Sequence, residues 1–215
     1  MANLIAWFTA GCLALSMADG GEVQPDLPPD VTGLKGDKED IREAAAQRIR
    51  ARRAQTVTGL VALAREDVKP HVWKMGNAEF FEYPWHDAKH LATLLLGDLR
   101  AQEAVPVLLD NLTYRNPRSL ITGGREGPGR AEGPGWYPAV ASLIKIGMPP
   151  VGPVLEKLGG YNGNCLGRRL CLVVIKEILS PRLAKARLEI AIEEAKDETA
   201  RANLKAALQQ FDSQR

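Results

Sequence analysis

The stretch LLGDLRAQEAVPVLLDNL, residues 95–112, decides the fold class of this chain. Its apolar residues recur at the spacing of an amphipathic helix, yet Pro106 interrupts the run. Proline has no N–H to donate, so a helix tolerates it at low cost only in its first turn, where that donor has no partner. We therefore predict that one helix ends near Gly97 and that a second regular helix runs from Pro106.

A second stretch has the same order of residues. IKIGMPPVGPVLEKL, residues 144–158, contains an apolar residue and a glycine that end one helix, then a short turn, then proline followed by Val-Leu. Pro106 and Pro153 are 47 residues apart, and a degenerate third copy begins with LSP at 179–181. The proline therefore marks the start of the second helix of a repeat.

The rest of the folded body is also predicted to be helical. No stretch alternates apolar and polar residues with the period of two that is typical of an exposed strand. Each predicted helix has one apolar stripe and a charged back, which is typical of helices that bury one face against neighbours. These helices span residues 39–66 (with a break near Thr56 or Gly59 if it is not one long helix), 86–97, 100–113, 136–147, 150–159, 166–179, 182–195 and 198–211.

The order Leu-Gly-Asp, short turn, Ala-Val-Pro-x-Leu resembles the HEAT-type repeat of bacterial proteins, including the HEAT-like family first described in phycobilisome lyases. The resemblance covers roughly residues 86–195 and is most specific at 95–112. It implies an all-α fold, an α-α superhelix of about seven to eight helices, in which stacked antiparallel pairs leave a concave surface for partners.

The N-terminal residues predict export to the periplasm or the medium. Residues 1–18 have no charged side chain and contain an apolar stretch followed by small residues that suit cleavage before Asp19. This signal peptide is too short for a comfortable membrane span. The alternatives are a buried N-terminal helix and, because Thr-Ala-Gly precedes Cys12, a lipoprotein.

The remaining chain divides into a linker and one repeat domain. Residues 19–38 are dominated by a few residue types, lack a helical period and are predicted to be disordered. The helical repeat domain follows at 39–215 and contains an inserted loop at 114–135, rich in glycine and arginine.

The charge balance bears on the class of partner. The chain has 28 basic and 26 acidic residues, a formal net charge of +2, which does not favour nucleic acid or a membrane as the main partner once the signal peptide is removed. The basic run at 48–53 spreads around several faces of its helix, and we interpret it as solvated.

His86 and His90 are the best candidate metal ligands. They lie four residues apart, so both side chains can reach one point on a helix face, and Glu82 or Asp87 would add an oxygen. A catalytic zinc site needs a third protein ligand and an open position, and no H-E-x-x-H motif is present. The alternative is two polar residues on an exposed helix face, and we expect no cofactor.

Cys165 and Cys171 remain after removal of the signal peptide. Two cysteines that are six residues apart within one straight helix lie too far from each other to form a disulfide. The turn YNGN at 161–164 would, however, place Cys165 before the helix and let it fold back, and an oxidising compartment would favour the bond. The alternative is that Cys171 is an ordinary core residue of an apolar run.

Aromatic residues lie mainly in connections rather than on helix stripes, and five of them lie within residues 71–86. Together with nearby arginines they are typical of anchors in protein interfaces, which are enriched in Trp, Tyr and Arg. The alternative is that they cover the apolar end of the helix stack. The predicted binding residues are Trp73, Phe81, Trp85, Tyr114, Arg115, Arg118, Trp136 and Tyr137.

We therefore expect an exported HEAT-like scaffold that binds a protein partner and has no catalytic residues. The alternative, implied by the resemblance to lyase-related HEAT-like proteins, is an enzyme or metal-dependent cofactor-handling protein that uses residues 71–90. Convergence of His71, Glu82, His86 and His90 in one concave pocket would favour that alternative.

Overall fold

The computed structural model describes residues 27–36, 38–66, 71–75, 78–82, 88–114, 137–163 and 165–213. These residues form a helical body, as predicted, with one short hairpin. The helices are α1 (Pro29–Thr32), α2 (Glu39–Ala51), α3 (Arg53–Arg65), α4 (Ala88–Asp98), α5 (Val105–Asp110), α6 (Pro138–Ile146), α7 (Val151–Gly159), α8 (Leu166–Ile178), α9 (Pro181–Glu194) and α10 (Glu198–Ser213). One 3-10 turn, Gly33–Lys35, follows α1, and another, Gln102–Ala104, precedes α5.

The hairpin corrects the expectation that the chain contains no strand. β1 (His71–Met75) pairs antiparallel with β2 (Ala78–Glu82), and the register places Trp73 opposite Phe80. The two strands are five residues each and lie in the connection between α3 and α4. Neither strand alternates apolar and polar residues, because Val72 and Trp73 are adjacent in β1 and Phe80 and Phe81 are adjacent in β2, although aromatic residues do favour strands.

Prolines begin the helices at the predicted places. Pro106 is the second residue of α5, and Pro153 lies in the first turn of α7. Pro181 is the first residue of α9, where the Ser180 hydroxyl accepts a hydrogen bond from the Leu183 N–H at 3.4 Å. Each proline therefore occupies a position where no helical N–H is lost.

α4 ends at Asp98, next to the predicted end, but Gly97 is not the residue that ends it. Gly97 lies within the helix, and the residue in the left-handed conformation is Arg100, with φ of 50°. The Arg100 N–H donates to the Gly97 carbonyl at 2.9 Å and the Ala101 N–H donates to the Leu96 carbonyl at 3.0 Å, which is a Schellman motif. Arg100 therefore takes the position that glycine usually fills, and Gly97 has another role.

Gly97 allows α4 and α6 to approach closely. A Cβ added at this glycine would lie 2.6 Å from the Cα of Ser142. Gly147, by contrast, ends α6 as predicted, with φ of 89° and open space around it. The two glycines thus serve different purposes: one serves helix packing and the other a turn.

Two boundaries in the N-terminal part also change. The predicted long helix at 39–66 breaks at Arg52, earlier than Thr56 or Gly59. Residues 27–36, which we predicted to be part of a disordered linker, include α1 and pack on the helical body with Val31 and Leu34 fully buried. These two apolar side chains provide enough burial to attach the segment to α2 and α3.

Alternate helices pack against one another in two rows. The first row contains α2, α4, α6 and α8, and the second row contains α3, α5, α7 and α10. Fully buried leucines fill the core between the rows, and α9 packs mainly on α10 at the C-terminal end.

Polar contacts in the first row join equivalent positions of successive helices. The Asp98 carboxylate of α4 accepts hydrogen bonds from Arg50 of α2 at 3.0 Å and from Lys145 of α6 at 2.6 Å. The partners are 48 and 47 residues away in the chain. Burial alone would raise the pKa of Asp98, but the hydrogen bonds and charges of Lys145 and Arg50 together lower it below its ordinary value.

The second row has matching contacts made by asparagines. Asn111, at the end of α5, donates to the carbonyl of Ala64 in α3 at 3.0 Å, 47 residues away. Asn203 of α10 donates to the carbonyl of Gly159 in α7 at 2.8 Å, 44 residues away. Both amides satisfy a carbonyl in the last turn of the preceding helix of the row.

Candidate functional site

An open groove runs between α5 and α7, two successive helices of the second row. We call it the proline groove, because Pro106, Pro149 and Pro153 line it. Its volume is about 790 Å³, and Val105 and Leu109 form part of its apolar lining. Pro149 belongs to the turn before α7, and the residue that precedes it, Met148, is 51% exposed.

The chemistry of the proline groove suits docking of a polypeptide. Proline rings present an apolar surface whose backbone is already restricted, so little conformational freedom remains to be lost on binding. Polar groups flank the apolar part: Gln102 and Glu156 line the groove, and an ion pair spans it between Lys157 and Asp110 at 3.3 Å. An apolar centre with a polar rim is the usual composition of a protein interface.

A second opening adjoins the proline groove. We call it the C-terminal cleft; it has a volume of about 690 Å³ and lies between α7, α9 and α10. Leu155, Ala191 and Leu204 contribute apolar surface, and Arg187 and Glu194 of α9 are among its charged residues. The two openings share Glu156 and Gly160, so they form one continuous surface on the second-row side of the molecule.

The structure tests only part of the predicted aromatic patch. Trp85, Arg115, Arg118 and Trp136 lie outside the described residues, and Trp73 and Phe81 are described only as backbone, in the two strands of the hairpin.

Two members of the patch have described side chains. Tyr137, just before α6, is fully buried and belongs to the core, which corrects its assignment to an exposed patch. Tyr114, after α5, is half-buried, and the Lys89 ammonium lies 5.1 Å from the centre of its ring, a distance typical of a cation–π contact.

The predicted metal site remains a prediction. His90 lies half-buried in the first turn of α4, whereas His86 lies outside the described residues. Within the described ranges, no group of three or more His, Cys, Asp or Glu side chains is placed to hold a metal ion.

The two cysteines are free thiols in the structure, which agrees with the second of the two alternatives, an unpaired Cys171 in the core. Cys165 immediately precedes α8, as expected from the turn before it, and Cys171 lies inside α8 and is fully buried. Burial raises the pKa of Cys171 to about 12, so this thiol is protonated and a poor nucleophile at neutral pH.

The residues that line the proline groove carry no sequence signal for binding, although two of them were predicted for another reason. Pro106 and Pro153 were recognised as helix starts, and the ring that removes their N–H also carries the apolar methylene groups that line the groove. Their repetition at equivalent positions was therefore the available signal for the groove.

In the part of the chain that the structure describes, no helix has the length and apolar character needed to cross a membrane. Comparisons with known protein families, with curated proteins and with solved structures found no match. The inference of function therefore rests on the geometry of the two openings and on the packing of the helices that form them.

Proposed function

We propose that this protein is a short α-α superhelix of HEAT-like repeats that acts as a non-catalytic scaffold and binds a protein partner along its second helices. The two rows of alternating helices support the superhelix, because stacked helix pairs bury each other's apolar faces in this arrangement. The polar contacts of Asp98 and Asn111, at separations of 47 and 48 residues, support a repeat of about that length.

The observation that carries the binding function is the proline groove. It lies between α5 and α7, which are second helices of successive repeats in this proposal. The resemblance to HEAT-type repeats implies that partners dock on the face formed by the second helices and adjoining loops. The apolar prolines lie on that face, and the exposed Met148 directly precedes Pro149 in the chain.

Site-specific photo-crosslinking tests the proposed face. A photoreactive amino acid replaces Met148, the exposed residue before the groove-lining Pro149, or, as a control, Glu177, an exposed residue of α8 in the first row. In cells of the source organism we expect a discrete crosslinked protein from position 148 that position 177 does not give. Equal crosslinking from both positions would contradict a docking face on the second row.

Proline-to-glutamate variants then test the groove itself. Pro106→Glu and Pro153→Glu place a charge in the apolar lining and should weaken binding of the crosslinked partner at least about tenfold. Pro181→Glu is the matched control, because Pro181 is an exposed proline in the first turn of α9 and lies outside the proline groove. Equal affinity of all three variants would place the interface elsewhere.

Export is a second part of the proposal, supported by the sequence of residues 1–18. Cleavage would leave Asp19 as the mature N-terminus. Intact-mass analysis of the protein purified from its source distinguishes this outcome from an uncleaved Met1 and from a lipidated Cys12.

A further inference from the structure

One face of α9 carries exposed apolar side chains. In the described part of the chain, four large apolar side chains are more than 40% exposed, namely Ile41, Met148, Leu183 and Ile190. Leu183 and Ile190 lie on the same helix, and seven residues is close to two helical turns, so both project from one face of α9. The opposite face, with Ala184 and Leu188, is buried in the core.

Charged residues flank this apolar face. Arg187 and Glu194 are exposed, and they lie three residues before and four residues after Ile190 on nearly the same line of the helix. Glu193 is also exposed beside Glu194. Along this line of α9 the exposed order is Leu183, Arg187, Ile190 and Glu194, so Ile190 lies between a positive charge toward the N-terminus and a negative charge toward the C-terminus.

We propose that this face binds a second copy of the chain, with the two α9 helices antiparallel about a two-fold axis at Ile190. At a rise of about 1.5 Å per residue, Arg187 lies about 4.5 Å before Ile190 and Glu194 about 6 Å after it. Antiparallel pairing places Arg187 of one copy close to Glu194 of the other. The two-fold axis generates a second, equivalent contact. Ile190 packs against its own copy at the axis.

The charges also select this register. Antiparallel pairing about the midpoint of Leu183 and Ile190 would place the two copies of Arg187 next to each other at the axis, where like charges repel. Pairing about Ile190 avoids that contact and creates two attractive ones. The same surface closes over the C-terminal cleft, whose lining includes Arg187, Ile190 and Glu194.

The size of the face sets the strength of the contact. A helix of 14 residues is about 21 Å long, and two such helices bury less than the ~1,600 Å² of a standard stable interface. The dimer is therefore concentration-dependent. It leaves the proline groove open, because none of the residues of α9 line that groove.

Charge-exchange variants of the full chain, measured by sedimentation equilibrium over a dilution series, test the proposal. The wild type should dimerise reversibly, and Arg187→Glu or Glu194→Arg alone should raise the dimer dissociation constant at least about tenfold, because each turns two attractions into two repulsions. The double variant should recover the wild-type constant. An equimolar mixture of the two single variants should form heterodimers, since positions 187 and 194 then carry opposite charges wherever the two chains face each other.

Two controls accompany these variants. Both exchanged residues are exposed, so circular dichroism and the melting temperature should be unchanged in each variant. Glu177→Arg, a charge reversal at an exposed residue of α8, should leave dimerisation unaffected. A wild type that is monomeric at all concentrations would overturn the proposal. So would a dimer that none of the α9 variants weakens, or single variants that fail to pair with each other.

Discussion

The junction between α4 and α6 is closed, whereas the junction between α7 and α9 is open, although each joins two helices that are separated by one other helix in the chain. At the closed junction Gly97 lies against the backbone of Ser142, and the Ser142 hydroxyl donates to the Thr93 carbonyl at 2.7 Å in the core. At the open junction the C-terminal cleft separates α7 from α9, with charged side chains such as Arg187 in its lining.

The difference shows that a glycine brings two helices close together only where the backbone of the neighbouring helix lies against it. α7 has a glycine at each end, and neither meets a backbone as closely as Gly97 does: a Cβ at Gly159 would make an ordinary contact, 3.4 Å from the Cβ of Ala200 in α10. Gly152 borders the C-terminal cleft, and a Cβ there would meet nothing within 4 Å. The helix therefore packs closely on α10, while α9 reaches the molecule mainly through α10.

Gly97→Ala should separate α4 from α6 and have the largest effect on the free energy of unfolding. The new methyl group would overlap the Cα and Cβ of Ser142, so the two helices must separate. We expect a loss of about 2–3 kcal/mol in the free energy of unfolding, after the gain in helix propensity is included. Urea unfolding measures this loss, and a stability equal to the wild type would contradict the close approach of α4 and α6.

Asn203→Ala should loosen the contact that positions the C-terminal helices. The buried Asn203 amide donates to the Gly159 carbonyl, and its removal leaves that carbonyl at the end of α7 without this donor. We expect a loss of about 1–2 kcal/mol in the free energy of unfolding.

Asn111→Ala is a useful comparison for Asn203→Ala, because Asn111 makes the equivalent contact in the middle of the row but is only half-buried. Its effect on urea unfolding should be smaller than that of Asn203→Ala. The opposite order would mean that the two contacts are not equivalent.

Asp98→Asn should remove a pH-dependent contribution to the free energy of unfolding, because Asp98 joins α2, α4 and α6. The pKa of Asp98 is lowered from its ordinary value of 3.8 in the folded protein, so the ionised carboxylate favours folding. This contribution is complete above the pKa that Asp98 has in the unfolded chain. It is lost as the pH falls through the lower pKa that Asp98 has in the folded protein. We expect the wild type to exceed the variant by about 1 kcal/mol at pH 7, since both ion pairs are partly exposed.

Urea unfolding from pH 7 to pH 2.5 measures the Asp98 effect. The stability difference between wild type and Asp98→Asn should shrink below about pH 4. A constant difference over this range would show that the carboxylate charge is not responsible.

Gly152→Ala should have the smallest effect, and in the opposite direction. Because a Cβ at this position meets open space in the C-terminal cleft, the substitution only restricts the unfolded chain and improves helix propensity. We expect a gain of up to about 1 kcal/mol in the free energy of unfolding, measured beside Gly97→Ala. A loss of stability would show that the cleft is closed in solution.

The sequence by itself determined most helix boundaries, because they depend on local chemistry. Pro106 and Pro181 begin or nearly begin their helices, and Gly147 ends one, since a missing N–H and a positive φ are properties of single residues. The hairpin formed by β1 and β2 was not predicted, because neither strand has the alternation of apolar and polar residues that identifies a strand locally.

The tertiary structure alone decided which residues meet. Gly97 and Gly152 are both helical glycines in the sequence, yet only Gly97 faces a backbone. Tyr137 is an aromatic in a connection, as a binding anchor would be, and is nevertheless fully buried. Contacts such as those of Asp98 join residues 47 or 48 positions apart, and their existence depends on how whole helices are placed rather than on any local pattern.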